Sequence, residues 1–200
     1  MQARERVAVV VAHPDDETLW AGGLLLLHPE WEVVIASLCR GGDPDRAPKF
    51  HRVCQRLGAV GRMADLEDGP EQSPLCEGQV EETVLGLVGD TAYDLLLTHG
   101  PRGEYTRHLR HEETSRAVTA LWRRGELHAA RLWHFAYEDG GGAYLPRAAA
   151  EAPIRVVLPP ETWEEKRRIM RERYGFAEDS REARTTPRVE AFWEIREGGQ

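Results

Sequence analysis

The sequence predicts an α/β fold built on a largely parallel sheet. Two observations carry this expectation. Strand-like apolar runs alternate with helix-like segments along the chain, and each conspicuous polar cluster follows a strand run. HPDDE follows the first, CRGGD the second and THGPRGEYTRHLRH the third. In open α/β sheets ligands gather at the carboxyl ends of strands, where the strand order reverses, so these clusters locate a site before their chemistry is considered. With helices covering both faces, the arrangement is three-layered, α/β/α and Rossmann-like. Residues 1–200 read as a single domain.

Taken in order, Val7 to Ala12 is a continuous run, mostly valine, suited to a strand covered on both faces. Thr18 to Leu27 is helical and ends near His28-Pro29. Glu32 to Leu38 is the second strand, and CRGGDPDRAP behind it is a loop with glycine and proline breakers. A helix from Phe50 to Leu57 closes on Gly58, a suitable C-terminal glycine. The short segment Arg62 to Leu66 leads into the loop EDGPEQSP, Gln79 to Val88 is helical, and Tyr93 to Thr98 is a third strong strand. An amphipathic helix from about Glu112 to Arg124 follows the histidine-rich loop, and Arg131 to Ala136 is a strand. Beyond the glycines at 140–142 and the small residues Ala148 to Ala152, Arg155 to Leu158 is a short strand. Pro160 to Arg173 is a long charged helix. The tail RVEAFWEIRE alternates as an edge strand does, which offers a surface for self-association into a homo-oligomer. No internal repeat is visible.

Composition narrows the function classes. The chain is 41% hydrophobic and 30% charged, a globular balance. Its net charge of −8 argues against a nucleic-acid surface, which needs clustered positive charge. Cys39, Cys54 and Cys76 are sparse and contain no Cys-x-x-Cys, as expected of a reduced compartment. No apolar run approaches the ~20 residues of a membrane span, and the N-terminus enters a strand without a signal-peptide pattern. The expectation is a soluble cytoplasmic protein. No Gly-x-Gly-x-x-Gly follows the first strand, which removes the dinucleotide reading.

The chemistry concentrates at His13, Asp15, Asp16 and Glu17. Acids at a helix start cap it and complement its dipole, but one acid suffices for that. A histidine and three acids at one strand end exceed what capping requires. A strand-to-helix corner stiffened by Pro14 lets His13 and Asp16 turn towards one point. Imidazole and carboxylate ligands suit Zn²⁺, which in catalytic sites has three protein ligands and a water. The second cluster is His99, His108 and His111. His108 and His111, three apart at a helix start, share a face and supply a third ligand plus a proton-transfer partner. His99 ends its strand, where hydrogen bonding to backbone is its expected role. His28, His51, His128 and His134 read as structural.

Ala12-His13-Pro14-Asp15-Asp16-Glu17 closely resembles the signature of the PIG-L/LmbE-like zinc-dependent N-deacetylases. Thr98-His99-Gly100-Pro101-Arg102-Gly103-Glu104-Tyr105 is similar to the loop before that family's second histidine motif. Arg40-Gly41-Gly42-Asp43 and Glu67-Asp68-Gly69 fall where its substrate loops lie, and Lys166 and Glu190 to Trp193 are weaker echoes. The resemblance implies that His13, Asp16 and His111 hold zinc, or another divalent metal. It implies Asp15 as general base on the metal-bound water, and a protonated His108 as stabiliser of the oxyanion or proton donor to the leaving amine. Tyr105 would polarise the carbonyl, and Arg46 and Asp68 are read as contacts to sugar hydroxyls. The implied activity is removal of an N-acetyl group from an N-acetylglucosamine-type small molecule, with no nucleic-acid partner. The remaining readings are an amidase acting on a larger conjugate, a metal-binding member without turnover, and a structural domain with a heavily capped helix.

Two departures stand out. The family's His-Pro-Asp-His is His108-Leu109-Arg110-His111 here, and Arg107 is one extra residue between Tyr105 and His108. Arg107 and Arg110 are thereby candidates for an anionic substrate group. Asp15 also carries a tension, because a cation and a helix N-terminus lower a carboxyl pKa and weaken it as a base unless burial offsets them.

Overall fold

A computed structural model describes residues 4–105 and 108–196. Seven strands form one sheet in the order β3-β2-β1-β4-β5-β9-β8. These are β1 (Arg6–Val11), β2 (Glu32–Cys39), β3 (Ala59–Leu66), β4 (Leu95–Thr98), β5 (Leu132–Phe135), β8 (Ile154–Val157) and β9 (Val189–Ile195). A separate two-stranded hairpin joins β6 (Tyr137–Glu138) to β7 (Arg147–Ala148). Strands β1 to β5 pair in parallel, and β9 runs antiparallel to both β5 and β8. The chain leaves β1 towards β2 and β3, then returns to lay β4 on the other side of β1. The order therefore reverses between β1 and β4, and the segments starting at Ala12 and His99 emerge side by side at that point.

Two cores sandwich the sheet. Val7, Val9 and Val11 of β1 face α1 (Asp16–Leu27), α2 (Arg46–Arg56) and the segment after α5 (Pro160–Arg168). Ala8 and Val10 face α3 (Glu77–Val88) and α4 (Leu109–Arg123). This is the three-layer α/β/α arrangement that a run of buried β-branched residues anticipates.

Helix α1 is apolar over most of its surface and is buried from Asp16 to Leu25, as a helix enclosed by other elements must be. Its Gly22-Gly23 pair permits close approach. A Cβ at Gly23 would meet Leu158 at 2.3 Å and Glu190 Oε1 at 2.9 Å. Glu190 accepts hydrogen bonds from the amides of Gly23 and Leu24, each 2.7 Å, and pairs at 2.7 Å with Lys166. Lys166 and Glu190 are both fully buried.

Three elements differ from their sequence reading. The tail is not an edge strand: β9 lies between β5 and β8, and its alternation reflects burial of Glu190 and Phe192 against α1 and the core. The sheet's edge on that side is β8. The long helix from Pro160 ends at Arg168 and continues as a π-helical turn, Ile169–Arg173, which delivers Tyr174 inward. Strand β3 starts at Ala59, directly after Gly58 at φ +70°, because Gly61 lets Phe50 and Cys54 of α2 pack against the strand.

Candidate active site

Between β1 and α1 the chain turns through Asp15, a non-glycine residue at φ 124°. Its side chain makes no helix-capping bond. Instead its amide donates to Glu17 Oε2 at 3.0 Å, and its carbonyl accepts from Thr18 and Leu19. Glu17, fully buried, also accepts from Thr18 Oγ1 (2.5 Å) and the Tyr174 hydroxyl (2.6 Å). The Tyr174–Glu17 contact thus holds the strained turn from below, and strain of this kind persists only where the surroundings over-determine it.

The turn brings three donor atoms together. His13 Nδ1 lies 3.1 Å from Asp16 Oδ2, and His111 Nε2 lies 3.3 Å from each of them. Ligand bonds of ~2.0–2.1 Å in a tetrahedron place ligand atoms ~3.3–3.4 Å apart, so this triangle has the dimensions of a Zn²⁺ donor face. The opposite side of each ligand is fixed by another group. His13 Nε2 bonds to Asp68 Oδ1 at 3.1 Å, His111 Nδ1 to Glu104 Oε2 at 2.6 Å, and Trp20 Nε1 donates to Asp16 Oδ1 at 3.1 Å. Carboxylates at His13 Nε2 and His111 Nδ1 favour protons there, so a bound ion that displaced the second His111 proton would meet lone pairs on His13 Nδ1 and His111 Nε2. Outer carboxylates set the tautomers of metal-ligating histidines in this way.

His99 is the near neighbour that the geometry excludes as a ligand. It stacks on His111 at 3.9 Å and approaches Asp16 to 3.5 Å. Its Nε2, however, accepts the Ala12 amide at 2.9 Å, which leaves its proton on Nδ1, bound to Glu104 at 2.8 Å. It hydrogen-bonds to backbone, as its strand-end position suggested, and it shares Glu104 with His111.

The electrostatics follow from burial at close quarters. Burial first, then Asp16, pushes the Asp15 carboxyl well above its usual range, with His13 and Arg46 opposing. Burial thus supplies the offset that a base at this position needs. Although burial opposes it, His111 holds Asp16 well below the carboxylate range. Against the same penalty, Asp16 and Glu104 raise His111 to about 10, and His99 and His111 hold Glu104 at about 2. Burial, with His111 and His13, pushes His108 down to about 3. Its ring lies 4.6 Å from His13 and 4.5 Å from His111, and its buried Nδ1 has no hydrogen-bond partner among the described residues.

A pocket of 380 Å³ opens over this cluster, walled by Asp15, Arg46, Asp68, Tyr105, His108 and Arg181 among others. His13, Asp15, Asp16, Arg46, Asp68, Tyr105 and His108 all line this pocket, and His111 is buried beside His13 and Asp16. Arg46 pairs with Asp15 at 3.0 Å and lies over Phe176. Asp68 accepts from Arg40 as well as His13. Tyr105 sits 5.9 Å from His108, its hydroxyl pushed up by burial and therefore protonated. Arg110 is not available to substrate. It is buried and donates to Glu67, Ser73 and Glu113, replacing the family's acid with a brace between α4 and the loop after β3. Arg107 lies outside the described residues. The sequence reading gave Arg40 and Glu104 no individual role, only places in segments that resemble the family's loops, and it gave none to Trp20, Tyr174 or Arg181. Glu104 also carried a signal of its own, since a buried histidine pair needs an acceptor.

Glu104→Gln is expected to weaken metal binding about 10–100-fold, the range for outer-shell partners of metal ligands. The amide cannot accept from both histidines and Gly100 as Glu104 does. Calorimetric titration of Zn²⁺ checks this, and unchanged affinity would remove Glu104 from the account.

A parallel sheet that gathers a His-Asp-His triangle and a strained acid at its strand-order reversal defines an α/β protein with a hydrolase-type donor site. The sequence matches the family described as PIG-L, GlcNAc-PI de-N-acetylase, over residues 8–122. The chain belongs to the PIG-L family. Among curated proteins it is 23% identical over 145 residues to uncharacterized protein L374 of Acanthamoeba polyphaga mimivirus. That alignment covers 66% of this chain and spans 61% of the relative's length. Solved structures share the fold at low identity. N,N'-diacetylchitobiose deacetylase of Pyrococcus horikoshii superposes with TM-score 0.70 at 15% identity, over 96% of this chain and 84% of that one. The zinc-inhibited form of teicoplanin deacetylase Orf2 gives 0.69 at 15%, over 98% and 100%. The 4-carboxy-2-hydroxymuconate hydratase GalB of Pseudomonas putida KT2440 gives 0.67 at 12%, over 98% of both chains.

Proposed function

We propose that this chain is a metal-dependent N-deacetylase that hydrolyses the acetamide of an N-acetylglucosamine-type sugar, with zinc as the ion. The observation that carries the reading is the donor triangle of His13, Asp16 and His111, with each outer side fixed, beneath a pocket that also holds Asp15. These residues fit a divalent ion in donor type and spacing. The ion, when bound, supplies Lewis acidity to the carbonyl and acidifies the attacking water.

Asp15 takes the proton of that water and, with its carboxyl raised by burial, returns it to the leaving amine. Glu17 and Arg46 hold Asp15 in place. The His108 ring, 4.6 Å from His13, lies where an imidazole carrying a proton would stabilise the oxyanion. Tyr105, Arg46 and Asp68 line the space for the sugar, and 380 Å³ lies at the small end of ligand pockets. Among the described residues no helix is long and apolar enough to cross a membrane. All three cysteines are free, which supports a reducing, cytoplasmic setting.

A second reading comes from the hydratase GalB, whose fold spans nearly the whole of both chains: the same residues would activate water for addition to a carbon–carbon double bond. One experiment separates them. Purified protein is incubated with N-acetylglucosamine and its conjugates, and free amine and acetate are measured with and without chelator. Equimolar amine and acetate, abolished by chelator and restored by zinc, are expected. No amine from any acetylated sugar by the zinc-loaded protein would overturn the proposal.

A further inference from the structure

Asp68 fixes His13, and the loop that carries Asp68 is itself held from α4. Asp68 Oδ1 lies 3.1 Å from His13 Nε2, the ring nitrogen facing away from the donor triangle, and Asp68 Oδ2 accepts from Arg40 Nε at 2.9 Å. The chain between β3 and α3 forms no helix or strand, so no backbone ladder sets where this carboxylate sits. Arg110 supplies the tie. Its Nε donates to the Glu67 carbonyl at 2.6 Å, and its Nη2 to Glu67 Oε2 and the Ser73 carbonyl, each at 2.8 Å. Its Nη1 donates to Glu113 Oε2 at 2.5 Å, and Glu113 Oε1 accepts the Leu75 amide at 2.8 Å.

The tie is built into the interior. Arg110 is 2% exposed and Glu113 6%, so their charge-assisted bonds are shielded from water. Asp68 lies between the tethered residues, directly after Glu67, and Gln72 in the same span donates to Asp68 Oδ1 at 3.1 Å. Arg110 also directly precedes His111. One side chain thus joins the helix that carries one donor of the triangle to the loop that fixes another. This is where His108-Leu109-Arg110-His111 departs from the family's His-Pro-Asp-His. An aspartate at 110 would donate to neither carbonyl, and would face the carboxylates of Glu67 and Glu113.

We propose that Arg110 is a positioning residue for the metal site: it holds the loop of residues 67–75 so that Asp68 stays on His13 Nε2 and His13 keeps its other ring nitrogen turned to the ion. The inference rests on the metal reading of the triangle and gives Arg110 no contact with substrate. The planar guanidinium serves acceptors at both ends of the loop at once, which a shorter or acidic side chain does not. Without it the Glu67 and Ser73 carbonyls lose their donor, and the outer partner of a metal ligand loses its fixed place.

The test is a double-mutant cycle read by calorimetric titration with Zn²⁺ in wild type, Arg110→Met, Asp68→Asn and the double variant. Arg116→Gln, at an exposed arginine of the same helix, is the control. Arg110→Met and Asp68→Asn should each weaken binding about tenfold or more, and Arg116→Gln should leave it unchanged. In the Asp68→Asn background, Arg110→Met should cost less than about twofold, because its route to the ion is already cut. A merely structural loss would cost the same in both backgrounds. Arg110→Lys keeps the charge beside Glu113 and carries the same cycle if Arg110→Met does not fold. Arg110→Asp, the family's residue, should bind more weakly than Arg110→Met. In ¹⁵N-edited NMR of the zinc-loaded protein, the His13 Nε2 proton should exchange slowly in wild type and Arg116→Gln and rapidly in Arg110→Met. Undiminished affinity in Arg110→Met, or an equal fold-loss with and without Asp68, would overturn the inference. No Zn²⁺ binding by wild type would overturn the metal reading itself, and the inference with it.

Discussion

Replacing Asp15 with asparagine is expected to lower kcat by about 10²–10⁴, the usual contribution of a positioned general base, while bound metal stays at one ion per chain. The substitution is close to isosteric. Its amide hydrogen still donates to Glu17 and its side-chain oxygen can still accept from Arg46, so the turn at φ 124° keeps its supports. Asparagine also tolerates positive φ better than most residues. What disappears is a group that can take a proton from water. Acetate release under saturating substrate, with metal content measured on the same sample, checks this. Activity within a few-fold of wild type would remove Asp15 as the base and transfer that role to another pocket residue.

Replacing Glu190 with alanine is expected to destabilise the fold by about 3–5 kcal/mol, the range for breaking a buried ion pair from one side. Lys166 would be left fully buried without its carboxylate, and the Gly23 and Leu24 amides would lose their acceptor. Burial already lowers the Lys166 pKa, and Glu190 opposes that shift. Without Glu190 the folded pKa falls further, so between folded and unfolded values the unfolded chain binds more protons and stability rises with pH. The deficit measured by urea unfolding should therefore shrink from pH 7 towards pH 10. Replacing Lys166 with methionine as well should recover only part of the loss, because the hydrogen bonds from the Gly23 and Leu24 amides to Glu190 are still missing. A deficit independent of pH would mean that Lys166 is not the charged group responsible.

The elements nearest the site were the most legible in the sequence. Strand β1 announces itself through a continuous apolar run, mostly valine, and His13 and Asp16 through a charge density that no helix cap requires. Asp15 was legible as surplus, though not its strained backbone, which only the contacts of Glu17 and Tyr174 reveal. The C-terminal third was read less well for one physical reason: its pattern answers to distant partners. Glu190 alternates as a solvent-facing acid would, yet it points at the amides of a helix more than 160 residues earlier. Tyr174 and Arg181 reach the site through a π-turn and a five-residue helix, neither of which has a periodicity to recognise. His108 is the instructive case among the site residues. Its position followed from the motif, but the downward push on its pKa comes from burial beside two other histidines, which a linear pattern does not encode.

The central claim is that His13, Asp16 and His111 hold one divalent ion at the strand-order reversal. The most direct measurement is calorimetric titration of chelator-treated protein with Zn²⁺, in wild type, His111→Ala and Asp15→Asn. One ion per chain is expected in wild type and Asp15→Asn, and none in His111→Ala at matched concentrations. Stoichiometric, undiminished binding by His111→Ala, or no binding by wild type, would contradict it.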